Sequence, residues 1–183
     1  MIATRRKRII IALGILLAFG GIVAWQWDSI LRAYFFHRIR AVTTALPHCD
    51  RVELSHLRGG DTVSAPVKPP TNAFSVRPYG SYPTVLSRQT LSGMEAESFA
   101  ALWRAQTYGP HFTGLCHYPV YGLRFYSGNE LRFETTLCFD CSNFYINLHG
   151  GGGCTGFDTS TPKARELFLI LQQAFPASVR KPK

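Results

Sequence analysis

Apolar and polar residues divide the 183-residue chain into two unlike parts. After the basic cluster Arg-Arg-Lys-Arg at 5–8, residues 9–27 carry no charge, and a membrane-spanning helix needs a run of about 20 such residues. In residues 28–47, apolar side chains recur every three or four positions, which predicts a helix with one apolar stripe. We therefore expect a transmembrane helix at 9–27 and a stalk or interfacial helix at 28–47.

The basic cluster also predicts an orientation for this span. A short tail at 1–8 rich in arginine is hard to translocate, so the tail should stay in the cytoplasm as part of an uncleaved signal anchor. The main domain would then lie on the periplasmic or extracellular side of a bacterial inner membrane, held in the lipid by residues 9–27. A cleaved signal peptide, with small residues at Ala18 and Gly20, is the alternative.

Residues 48–176 show the periodicities of a mixed domain, and 177–183 form a basic tail. Strict alternation predicts a three-stranded antiparallel meander with one apolar face, to which Leu131 belongs, and one polar face, to which Thr136 and Cys138 belong. Weaker patterns predict one to three further strands. Ser92 with Glu95 indicates a capping box at the start of one helix, and Thr161 before Pro162 indicates a second. The fold class is therefore α+β, a small antiparallel sheet covered by two helices. The strands are expected at 49–57, 74–78, 83–91, 121–126, 130–139 and 143–148.

The first hairpin of the meander is expected to bring two arginines together. If Ser127, Gly128 and Asn129 form a three-residue turn, Arg124 lies opposite Arg132 on the solvent face, where like charges repel. Diagonal glutamates at 130 and 134 would offset that repulsion. The alternative is a carboxylate or other anion held between the two guanidinium groups.

The segment TTLCFDCSNFYINLHGGGGC, residues 135–154, holds three of the five cysteines. Outside the cytoplasm, disulfides among Cys116, Cys138, Cys141 and Cys154 would join the meander to its flanking loops. The sequence does not determine which cysteines pair. Cys49 is the expected unpaired thiol, and a homodimer could form through it or through the stalk helix.

The same segment contains three patterns seen in other classes of protein. Cys138, Cys141, His149 and Cys154 could bind zinc, and their spacing resembles a zinc knuckle with seven rather than four residues before the histidine. The Cys-x-x-Cys motif resembles that of thiol oxidoreductases, although those place it at a helix N-terminus. His149 and the glycines after it resemble the oxyanion loop of lipases, which also need a nucleophile elbow that the sequence lacks. We expect these glycines to form a flexible loop after the turn.

The net charge of +9 suggests polyanion binding until it is divided along the chain. Residues 1–51 carry +6 of it, so the domain itself shows no electrostatic footprint for nucleic acid. With no convincing catalytic set, the sequence favours a non-enzymatic binding or envelope-associated module. A zinc-binding or thiol-redox domain is the alternative.

Two stretches also carry a resemblance to a group of proteins. They are CHYPVYGLRFYSGNELRFETTLCFDCSNFY and GFDTSTPKARELFLILQQAFP. Both are similar to motifs of uncharacterised bacterial membrane-anchored proteins with a C-terminal cysteine-containing domain. The resemblance covers residues 83–176 and implies no activity.

Overall fold

A computed structural model describes residues 43–58, 72–76, 78–109, 116–148 and 151–176, with scattered residues between 20 and 40. The chain forms two compact units, Met1–Arg38 and Ile39–Lys183. The described residues of the first unit are helical, and so are Arg40, Thr43 and Thr44 of the second. The predicted tails at 1–8 and 177–183 lie outside the described residues, as does most of the predicted span. In the part that is described, no helix combines the length and hydropathy needed to cross a membrane.

Six antiparallel strands form one sheet in the second unit, and two helices accompany it. The order across the sheet is β2-β1-β3-β4-β5-β6, which makes β2 and β6 the edges. The domain is therefore α+β, as predicted. The strands are β1 (Arg51–Arg58), β2 (Thr84–Ser92), β3 (Tyr121–Ser127), β4 (Glu130–Cys138), β5 (Asn143–Leu148) and β6 (Gly151–Gly156), and the helices are α1 (Met94–Arg104) and α2 (Pro162–Ala174).

One face of the sheet packs against the helices because its alternate positions are apolar. Phe125, Phe133 and Phe144 of the three central strands are buried on this face. The ring of Trp103 from α1 lies against all three, with centroid distances of 5.4 to 5.9 Å. Aromatic contacts of this kind add about 0.5 to 1.5 kcal/mol each beyond the area that they bury. The predicted meander is confirmed, and its apolar face is confirmed at these three positions.

The two helices begin in different ways. The Thr161 hydroxyl accepts a hydrogen bond from the Ala164 N–H at 3.1 Å, so the predicted cap of α2 is confirmed. The predicted capping box of α1 is wrong, because Ser92 still belongs to β2 and pairs with Arg51. Gly93 occupies the cap position at φ 57° and ψ −126°, with no side-chain cap. A positive φ of this kind favours glycine, which turns the chain from strand into helix.

The hairpin between β3 and β4 differs from the prediction by its register. Its loop has two residues rather than three, and β4 is bulged beside Phe125 and Tyr126. Arg124 therefore lies opposite Glu134, and the predicted opposition of Arg124 and Arg132 is wrong. The same shift leaves Leu131, predicted to face the core, 43% exposed.

The second face of the sheet is covered in part by the segment 72–76. Phe74 is completely buried and packs with Leu57 and Val76. Its ring lies so close to Gly122 of β3 that a Cβ at that position would come within 2.6 Å of it. The strand predicted at 74–78 is wrong, since residues 74–76 have irregular backbone and Pro78 begins a 3-10 turn at Pro78–Gly80.

One carboxylate fixes the linker 46–50 to α1. Glu97 accepts a hydrogen bond from the Cys49 N–H at 2.8 Å, lies 2.9 Å from Nδ1 of His48 and pairs with Arg104. Arg104 also donates to two carbonyl groups of the linker. Cys49 is completely buried, and burial followed by the charge of Glu97 raises the pKa of its thiol. A bridge between two copies through Cys49 would therefore require the linker to leave α1, whereas a dimer through the stalk helix stays a prediction.

The variant Gly122→Ala tests how closely Phe74 covers the second face. The added methyl group would overlap the Phe74 ring, so we expect the free energy of unfolding of the full-length chain to fall by about 1 to 3 kcal/mol. Urea denaturation followed by circular dichroism measures this change. In the double variant with Phe74→Leu the overlap is relieved, so its loss should be smaller than the sum of the two single losses. Strict additivity would contradict the close approach.

Candidate functional site

Four of the five cysteines gather around the turn that joins β4 to β5. Cys138 is the last residue of β4, Cys141 lies in the turn, and Cys154 sits in β6 opposite Tyr145. Cys116 belongs to the segment 116–120, which leads into β3. Its Sγ atom lies 2.9 Å from Sγ of Cys141, although the two residues are 25 positions apart.

These four are the cysteines predicted to form disulfides. The described part of the chain includes all five cysteines, and all five are free thiols there. The separation of 2.9 Å between Cys116 and Cys141 exceeds a disulfide bond length of about 2.05 Å. The fold therefore brings the predicted set together, and their bonding stays a prediction.

The side chain of His117 holds Cys116 beside the turn. The imidazole is buried, with Nδ1 2.6 Å from Oδ1 of Asn143 and Nε2 2.9 Å from Oγ1 of Thr136. The Asn143 amide also donates to the Cys116 carbonyl at 2.6 Å, so its Oδ1 is left to accept from the ring. A neutral imidazole with the proton on Nδ1 satisfies all of these contacts. The segment before β3 is thereby tied to both β4 and β5.

These contacts leave His117 no nitrogen to act as a base toward Cys116. Burial lowers the pKa of His117, against a smaller opposing effect of the Asn143 hydrogen bond. The ring is therefore neutral at physiological pH and engaged at both nitrogens. A cysteine nucleophile needs a base within hydrogen-bonding reach, and this neighbour does not supply one.

Three of the four clustered thiols, those of Cys116, Cys141 and Cys154, have raised pKa values and hold their protons at neutral pH. The Cys141 hydrogen bond, and then burial, raise the pKa of Cys116, while burial first raises the pKa of Cys141. Burial and the neighbouring Cys141 and Cys116 raise the pKa of Cys154 to about 12. Redox-active cysteines instead have a lowered pKa and react as thiolates. The raised pKa values of Cys116, Cys141 and Cys154 therefore give no support to a catalytic thiolate at these three positions.

The zinc alternative is only partly covered by the described residues. Cys138, Cys141 and Cys154 are three of its four predicted ligands, and the fourth, His149, lies outside the described residues. Within the part that is described, no three His, Cys, Asp or Glu side chains are placed to hold a metal ion. Zinc would also have to displace the protons of Cys141 and Cys154, whose pKa values are raised.

The glycines after His149 have a different structure from the predicted flexible loop. Gly151–Gly156 is the edge strand β6 and pairs with β5 along its whole length, so the prediction is wrong for these residues. Glycine has a low preference for strands, and its presence often marks a close approach of another segment. At this edge the Gly109 N–H donates to the Gly156 carbonyl at 3.1 Å.

The two arginines of the predicted anion site each have their own carboxylates. Nε of Arg124 lies 3.3 Å from Oε2 of Glu134, and its Nη1 lies 3.7 Å from Glu53. Arg132 pairs with Glu130 at 2.8 Å. The strand register and these ion pairs give no support to an anion shared by Arg124 and Arg132.

Sequence reasoning missed the residues that organise the site. Thr136 and Asn143 are completely buried, and Cys138 is only 1% exposed, although alternation predicts a solvent-facing side for Cys138 and Thr136. His117 contacts Thr136 and Asn143 from positions 19 and 26 residues earlier in the chain. Local periodicity carries no signal for such a contact.

Comparisons of the chain with protein-family models, curated proteins and solved structures gave no match. The resemblance to cysteine-containing bacterial membrane proteins therefore stays an expectation.

The stability of the domain should depend on pH through two histidines, the buried His117 and the half-buried His56. Burial lowers the pKa of His117 and of His56, so the unfolded chain binds more protons than the folded one below the ordinary value of 6.5. The stability that comes from keeping the two imidazoles neutral is complete above that ordinary pKa. It is lost as the pH falls from there toward the pKa values of the folded state. In the variant His117→Gln we expect the free energy of unfolding to fall less steeply with decreasing pH. The part of this acid slope that remains would come from His56. Denaturation at a series of pH values measures the slope.

The matched control is His37→Gln, which replaces an exposed histidine of the first unit. It should leave the slope unchanged. An equal slope in the wild type and His117→Gln would contradict a neutral, buried imidazole.

Proposed function

We propose that the chain is a single-pass, membrane-anchored protein whose α+β domain is a non-enzymatic binding or envelope-associated module, closed by a disulfide between Cys116 and Cys141. The observation that carries the proposal is the 2.9 Å approach of these two sulfur atoms. They come from the segment before β3 and from the turn after β4. A bond between them would join the two covalently.

The cellular location follows from the same proposal. Disulfides persist outside the cytoplasm, where thiols are oxidised. The basic cluster at 5–8 and the uncharged run at 9–27 support an anchor in the bacterial inner membrane with its N-terminus inside. The domain then faces the periplasm or the cell exterior.

The non-enzymatic assignment is supported by how the candidate catalytic groups are used. In the described residues, His117 is hydrogen-bonded at both nitrogens, and Arg124 is paired with two carboxylates. The thiols of Cys116 and Cys141 have raised pKa values. Each of these groups stabilises a contact between segments, which is the arrangement of a structural site.

The stability of cysteine variants tests the disulfide. We expect Cys116→Ser and Cys141→Ser each to lower the free energy of unfolding of the oxidised, full-length protein by about 2 to 4 kcal/mol. The double variant should lose little more than either single variant, because both changes remove the same bond. Reductant should destabilise the wild type and leave the two variants almost unchanged.

The matched control is Cys154→Ser, which keeps the proposed bond and should keep the response to reductant.

The proposed location is tested with a reporter fused after Lys183, which should be active only outside the cytoplasm. A wild type that is insensitive to reductant, or one that carries stoichiometric zinc on free thiols, would contradict the proposal.

A further inference from the structure

We propose that Cys116, Cys141 and Cys138 form a thiol–disulfide exchange site that presents Cys116 to low-molecular-weight disulfides at the protein surface. The inference rests on the proposed function, since it starts from a bond between Cys116 and Cys141. It adds a covalent modification site to a domain that is otherwise a binding module.

Cys141 lies in contact with a cysteine from each of two segments. Its Sγ atom is 2.9 Å from Sγ of Cys116, and its backbone N–H donates to Sγ of Cys138 at 3.3 Å. Cys141 therefore lies beside both of its possible disulfide partners.

The two possible partners differ in their exposure. Cys138 is 1% exposed and Cys141 6% exposed, whereas Cys116 is exposed to solvent. A bond between Cys138 and Cys141 would place both of its sulfur atoms in the domain interior. Cys116 would then be the thiol of this group that a solute can reach.

The exchange is an isomerisation and needs no net oxidant. Cys138 gives its proton to solvent, and its thiolate attacks Sγ of Cys141. The bond between Cys138 and Cys141 forms as the bond between Cys116 and Cys141 breaks. The electron pair leaves on Sγ of Cys116, which is solvated as a thiolate or takes up a proton.

A small disulfide then completes the modification. The Cys116 thiolate attacks one sulfur atom of the disulfide and forms a mixed disulfide with that half of the molecule. The other half leaves as a thiolate and is protonated by solvent. The small disulfide is therefore the oxidant, and one molecule of thiol is released for each modified chain.

Cys138 is a better attacking group than Cys154. The Cys141 N–H donates to Sγ of Cys138 at 3.3 Å, which holds this sulfur atom next to Cys141. Cys154 is near Cys141 and Cys116, but its pKa of about 12 keeps it protonated at neutral pH. The two residues therefore provide a test and a matched control.

The experiment uses the full-length protein with the bond between Cys116 and Cys141 already formed. Glutathione disulfide is added at neutral pH, the reaction is stopped with acid, and peptides are mapped by mass spectrometry. In the wild type we expect a glutathionyl group on Cys116 and a linkage between Cys138 and Cys141 in the same molecules. In Cys138→Ser and Cys138→Ala, modification of Cys116 should slow by about tenfold or more.

Two controls keep the result interpretable. Cys154→Ser should be modified at the wild-type rate, and the bond between Cys116 and Cys141 at the start of each reaction shows that the variant has assembled the site. The inference is overturned if the wild type stays unmodified or if the Cys138 variants react at its rate, and the proposed function survives either result. Starting protein without the bond would instead contradict the proposed function.

Discussion

The hydrogen bonds of the buried His117 ring determine where the cysteines meet. A desolvated imidazole is costly unless both nitrogens are satisfied, and Asn143 and Thr136 satisfy them from two adjacent strands. The segment before β3 is therefore fixed across β4 and β5 rather than left in solvent. Cys116 is the residue before His117 in the chain, and this placement brings it into contact with Cys141. The proposed bond between Cys116 and Cys141 therefore depends on that one ring.

The contacts of His117 are among those that cover the second face of the sheet. Phe74 packs over Gly122 near the centre of the face, and His117 covers the end where β4 turns into β5. The helices bury the opposite face through Trp103 and its phenylalanine neighbours. A disulfide at Cys116 would reinforce covalently a segment that hydrogen bonds already hold. Its exchange would therefore leave the position of the segment largely unchanged.

The sequence was most informative where the signal is local. The alternation in β3 to β5 and the Thr161 cap act within a few residues, and both are confirmed. The predicted capping box at Ser92 failed because pairing with Arg51 extends β2 past that residue. Strand β6 was missed because glycine has little preference for strands, and only its pairing with β5 orders it. The contacts of His117 were missed because they join distant positions, and these contacts are the ones that build the site.

The mapping of disulfides in the native protein tests the proposed bond between Cys116 and Cys141 most directly. Thiols are blocked with an alkylating reagent before the cells are lysed, and the full-length protein is digested without reductant and examined by mass spectrometry. The account predicts a linked pair of peptides that contains Cys116 and Cys141, with the buried Cys49 in neither. An alkyl group on both Cys116 and Cys141 in the native chain would contradict it.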